Sequence, residues 1–117
     1  MTRVKRGLAS KKRHNKLKKA VKGYSKVASS RVKWAKNFIA KAGQNSYRGR
    51  KLKKRQMRSL WITRINAGCR VEGVSYSKLI NGMLKAKIAV DRKILAELAV
   101  SNHEVFKTVV DMAKAAL

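Results

Sequence analysis

Seven of the eleven residues from Arg48 to Arg58 are Lys or Arg, and none is Asp or Glu. Side chains of this type at this density do one kind of chemistry, which is to neutralise phosphate. Arg presents a planar fork and Lys a flexible point charge. Each contacted phosphate releases condensed counterions, so affinity through such a segment falls steeply with salt. A solvent helix bridged by its own charges would alternate sign along its face, and this run does not. Arg48, Arg50, Lys51, Lys54, Arg55 and Arg58 are therefore expected as phosphate contacts.

The other reactive groups are few. Cys69 is the single cysteine, which excludes an intrachain disulfide framework and a Cys-cluster zinc site. It reads as a small apolar packing residue. His14 and His103 lie far apart in the chain, and neither has a partner at metal-ligand spacing. With no acid near His14, a ribonuclease built on the two histidines is a poor reading. His14, set among cations, fits a phosphate contact, and His103 a surface turn. No phosphate-cradling Gly-x-x-x-x-Gly-Lys loop occurs. The expectation is no enzyme, no metal, no cofactor and no small-molecule substrate. Trp34, Phe38 and Ile39 interrupt the basic sequence and are either a stacking platform for bases or a patch for another protein. Trp61, flanked by Leu60, Ile62 and Ile65, reads as core.

Residues 1–70 carry 24 of the 31 Lys and Arg and no acid, whereas Glu72, Asp91, Glu97, Glu104 and Asp111 all follow. A compact state of the first part would repel itself unless a polyanion neutralised it. The 117 residues leave room for one small domain and an appendage, with the domain close to the size at which a core is marginal. No 18-residue apolar run able to span a bilayer occurs, so the expectation is a soluble protein working inside a cell or organelle, away from membrane.

Proline is absent, and helix is the default. A short basic helix over 9–22 ends at Gly23, and a Ser-rich joint follows from Tyr24 to Ser30, with Ser29 or Ser30 placed to cap the next helix. That helix has no terminator until Gly73, so one element is expected from Arg31 to about Glu72, close to 60 Å at 1.5 Å per residue, with Gly43 and Gly49 as candidate bends. From Gln44 to Ser59 only Tyr47, Leu52 and Met57 are sizeable and apolar, so this stretch should stand free of protein and lie in a ligand. Trp61, Ile65, Gly68 and Cys69 then share one face, with Arg70 opposite. Ser75 caps a helix bearing Tyr76, Leu79, Ile80, Met83 and Leu84, and Asp91 opens one with Ile94, Leu95, Leu98 and Ala99 inward. Ser101-Asn-His-Glu104 has the form of a capping box ahead of Val105, Phe106, Val109, Val110 and Ala113.

Where the two parts meet, the run from Lys54 through Arg58, Trp61, Arg64 and Asn66 to Arg70 resembles the signature of the L-twenty family of bacterial large-subunit ribosomal proteins. The likeness continues at Thr2–Gly7, Lys22-Gly23-Tyr24, Val74–Gly82, Asp91–Ala99 and Ala113–Leu117. The chain departs from the family's usual Gly and Arg at Lys26 and Ala28, and from its usual Asp at Gly49. The resemblance implies an all-α, non-catalytic, early-assembling protein: a long basic helical extension (1–58) threading between segments of large-subunit ribosomal RNA, and a small helical domain (59–117) on the RNA surface beside neighbouring large-subunit proteins, in a cytoplasmic or organellar ribosome. In some members the domain also binds its own messenger RNA and represses translation. On this reading Arg3, Lys5, Arg6, Lys11, Lys12, Arg13, His14, Lys22, Tyr24, Arg31 and Trp34 contact RNA from the extension, and Arg64, Asn66, Arg70, Tyr76, Ser77 and Lys78 from the domain. Composition alone would also permit a histone-like DNA compactor. A cationic membrane-surface helix would need a continuous apolar stripe that residues 44–59 lack.

Overall fold

Without proline, and with Ala, Leu, Lys and Arg filling most positions, the chain meets few local obstacles to helix. A computed structural model describes residues 5–117, and every regular element among them is α-helical. The elements are α1 (Gly7–Ala20), α2 (Lys26–Ser30), α3 (Val32–Val71), α4 (Tyr76–Lys85), α5 (Arg92–Ser101) and α6 (His103–Ala115). The packing divides into two units, one ending at Lys51 and the other beginning at Leu52, with α3 passing through the boundary.

In the first unit α1 has no buried residue of its own. What order the unit has comes from three small side chains beyond it, Val21, Ala28 and Ala35, which are fully buried. Gly23 takes the left-handed backbone that lets the chain turn after α1 (φ 87°). The joint expected from Tyr24 to Ser30 contains the short helix α2. Ser29 and Ser30 do not cap α3: their hydroxyls donate back to the carbonyls of Lys26 and Val27, one turn earlier in α2. Arg31 is extended, and its carbonyl accepts from the Ala35 amide at 3.0 Å, so it stands at the start of α3 instead.

The 40 residues of α3 match the expected long element, and Gly43 and Gly49 lie inside its unbroken helical run. Its end is set by Gly73, at φ 69°. The Val74 amide donates to Cys69 O (2.9 Å) and the Gly73 amide to Arg70 O (3.2 Å). Together they make the two-bond motif that satisfies the last carbonyls of a helix.

The second unit is built on Ile65 and Cys69 of α3, Leu79 and Met83 of α4, Leu95 and Ala96 of α5, and Phe106, Val109, Val110 and Ala113 of α6. Trp61 packs against this cluster, as its apolar neighbours suggested. Ser75 caps α4 by accepting from the Lys78 amide. Two expectations fail. The capping box at Ser101 does not form, because Ser101 is still the last residue of α5 and its hydroxyl donates to Glu97 O at 2.7 Å; Asn102 stands at the start of α6 with no side-chain cap. Leu84 and Ile94, placed on inward faces by spacing, are 74% and 51% exposed. The ten-residue helices present too narrow a buried face to take every apolar position.

Two glycines let the helices approach closely. At Gly68 an added Cβ would meet the Phe106 ring at 3.0 Å; at Gly82 it would run into the Ala113 backbone, 2.8 Å from the carbonyl carbon. The Gly82→Ala variant must push α4 and α6 apart, because backbone cannot turn aside as a side chain can. Its unfolding free energy should fall by about 2 kcal/mol, the usual scale of an overpacked core, and an unchanged urea midpoint would show this contact to be loose.

Burial raises the Cys69 thiol above its ordinary pKa of 9.0. The folded protein therefore holds this proton more tightly than the unfolded chain does, and stability falls as pH rises past the ordinary value. In the native protein at pH 8 the thiol should react with a disulfide reagent at least about tenfold more slowly than in guanidinium, since the thiolate is the nucleophile; equal rates would place Cys69 outside the core.

Candidate nucleic-acid interface

Every residue from Gly43 to Leu60 is exposed. This is the stretch whose apolar residues were too few for a core, and the larger of them remain in solvent: Tyr47 is 60% exposed, and Leu52 and Met57 are 38%. At 100° per residue, the seven cations from Arg48 to Arg58 wrap about 220° of the helix circumference over a rise of about 15 Å. A stripe on one side would serve a single phosphate backbone. A wrap of this width could reach backbones on two sides.

The same spacing makes the stretch self-repelling. Arg48 and Lys51, Arg50 and Lys54, Lys51 and Arg55, Lys54 and Arg58, and Arg55 and Arg58 are each three or four residues apart, where like charges disfavour a helix by a few tenths of a kcal/mol per pair. The nearest relief from within the chain is weak: Lys51 Nζ lies 5.5 Å from the centre of the Tyr47 ring. The remaining relief must come from outside.

In the first unit Lys5, Arg6, Lys11, Lys12, Arg13, His14, Lys22 and Arg31 are all exposed. Tyr24 is 40% and Trp34 46% exposed, and the Trp34 ring lies 6.5 Å from that of Phe38 in a tilted pair. Such a pair offers an aromatic face to a partner. Arg3 lies outside the described residues. In the second unit Lys54, Arg55, Arg58, Arg64, Arg70, Ser77 and Lys78 are exposed, while Asn66 and Tyr76 are half-buried.

Tyr76 is engaged within the protein: its hydroxyl accepts from Arg92 Nε at 2.9 Å. Arg92, absent from the residues singled out in the sequence, is thereby held in place beside the α4 cluster of Tyr76, Ser77 and Lys78. Only its neighbour Asp91 carried a sequence signal. His103 is not a bare surface turn, because its Nε2 donates to Glu72 Oε1 at 3.0 Å and its ring stacks on Phe106. Lys114 Nζ donates to Glu72 O at 3.0 Å. Two of the second unit's basic side chains are thus used to hold α6 against the end of α3. Among the described residues no group of three His, Cys, Asp or Glu could hold a metal ion, and no helix is long and apolar enough to cross a membrane.

Among the described residues neither Arg55 nor Arg58 has an ion-pair partner, so both should act on a polyanion as nearly independent phosphate contacts. Replacing Arg55 and Arg58 by Gln should make the slope of log affinity for a structured RNA against log salt shallower by about one for each residue. A slope that does not move would mean that these side chains remain in solvent in the complex.

A family model described as Ribosomal protein L20 matches residues 3–109 of the chain.

Proposed function

The chain belongs to the ribosomal protein L20 family, whose members are structural rather than enzymatic and bind ribosomal RNA in the large subunit, and from this premise we propose that it is an assembly protein that orders as RNA folds around it. Residues 1–58 act as an RNA-embedded extension, and residues 59–117 act as the helical domain that docks on the RNA surface. Arg48, Arg50, Lys51, Lys54, Arg55 and Arg58 bridge RNA segments on two sides of α3. The extension cations Arg3, Lys5, Arg6, Lys11, Lys12, Arg13, Lys22 and Arg31, with His14, Tyr24 and Trp34, contact the RNA along its path. Arg64, Asn66, Arg70, Ser77 and Lys78, with Tyr76 steadied by Arg92, anchor the domain.

The observation that carries this reading is the exposed, acid-free stretch 43–60. A helix with no buried face and repelling neighbours draws little stability from its own chain, since most helical stability in proteins comes from packing of one face. RNA supplies both the missing counter-charge and the missing surface. A-form RNA hides its base edges in a narrow groove, so the contacts are with sugar, phosphate and tertiary shape. Where a member of the family also binds its own messenger RNA, the compact domain is the part suited to it, because it keeps its shape without the extension's partner.

The test is a titration of the full chain followed by circular dichroism. Large-subunit ribosomal RNA should raise the helical signal to a plateau that excess duplex DNA does not reverse. A free chain already fully helical at ordinary salt would overturn the ordering mechanism, and equal displacement by DNA would favour a histone-like DNA compactor.

A further inference from the structure

The first unit contains a groove of about 620 Å³ between α1 and α3. The half-buried Leu17 and Ile39 and the exposed Ala20 are its apolar lining, which serves as its floor, and the exposed Arg13, His14, Lys16 and Lys36 complete it. The sequence explains its character. Arg13, Lys16, Leu17 and Ala20 fall at i, i+3, i+4 and i+7 of α1 and share one face, while Lys36 and Ile39 share a face of α3. Both facing strips mix apolar and cationic side chains. Closing them on each other would bury like charges with no counter-ion, because the chain has no acid before Glu72. The helices stay apart, and the space between them lies within the roughly 300–1,000 Å³ of ordinary small-ligand pockets.

A ligand that fits this groove must be flat and apolar in its middle and anionic at its edges. The phosphates of a paired RNA helix would reach the rim and leave the floor wet, whereas an unpaired nucleotide offers a flat base between two phosphates. We propose that the α1–α3 groove receives one unpaired nucleotide of the RNA, its base lying on Leu17, Ala20 and Ile39 and its flanking phosphates held by Arg13, Lys16 and Lys36. This rests on the ribosomal RNA-binding reading and adds to it a point of recognition for local RNA structure that the phosphate contacts of α3 do not provide.

Three RNA hairpins test it with the full chain: one with a single-nucleotide bulge, one with an abasic residue at the bulge, and one fully paired. The bulged hairpin should bind about tenfold more tightly than the abasic one, a difference of about 1.4 kcal/mol. Ile39→Asn should bring that ratio towards one. The wild-type chain gives a second readout independent of any variant's folding, since a photoreactive 4-thiouridine at the bulge should crosslink to residues of 13–20 or 35–39. Equal affinity for the bulged and abasic hairpins, or crosslinks confined to other segments, would overturn the proposal while leaving RNA binding intact. Failure to bind any of the three hairpins would overturn the RNA-binding reading as well, so the two failures are distinct.

Discussion

Missing counter-charge is the constraint on which the rest of the molecule depends. From the first residue to Arg70 the chain has cations and no carboxylate to meet them. Neighbouring cations on one helix repel at short range, and salt only screens them. A protein can answer such a field by adding acids, by unfolding, or by taking a polyanion as part of its structure. The third answer would account for both the bare stretch of α3 and the open groove beside α1, because any surface closed by the protein itself would trap repulsion. The larger core lies in the second unit, which holds all five acids, and there Glu72 is held by groups near both ends of α6, His103 and Lys114.

The small core is made workable by thin contacts rather than large side chains. Gly68 lies under the Phe106 ring, and Gly82 brings α4 against the backbone of α6. Close approach of helix axes increases dispersion contact without adding residues, which matters in a domain near the lower limit of self-sufficient size. The buried Cys69, uncharged and small, belongs to the same economy of volume.

Much of this was legible before any coordinates. The charge partition set apart the acid-free part that holds the exposed stretch 43–60, Gly73 located the end of α3, Ser75 located the start of α4, and the spacing of Trp61, Ile65, Gly68 and Cys69 identified the core face. These features are local, or periodic along one element, and a sequence displays both. Contacts set by packing were hidden. The burial of Val21, Ala28 and Ala35 gives no periodic signal, because the three belong to three different segments. The apparent capping box at Ser101 was overridden when α5 ran one residue further and engaged the Ser101 hydroxyl itself. The Tyr76–Arg92 bond and the groove between α1 and α3 likewise require elements distant in sequence to meet. The phosphate-contact candidates were legible as a set, since charge density is a property of composition; the groove was not, since it depends on which faces of two helices come together.

Within the second unit, Lys54, Arg55 and Arg58 sit on the same uninterrupted helix that delivers Ile65 and Cys69 into the core. A helix couples distance to angle, so one residue inserted after Arg58 would advance these cations by about 1.5 Å and also turn them by about 100°. Insertions or deletions of about seven or eleven residues, close to whole numbers of turns, come near to restoring the angle. The segment between Arg58 and Trp61 therefore carries a phase as well as a length. A substitution there leaves that phase unchanged, whereas an insertion or deletion alters it.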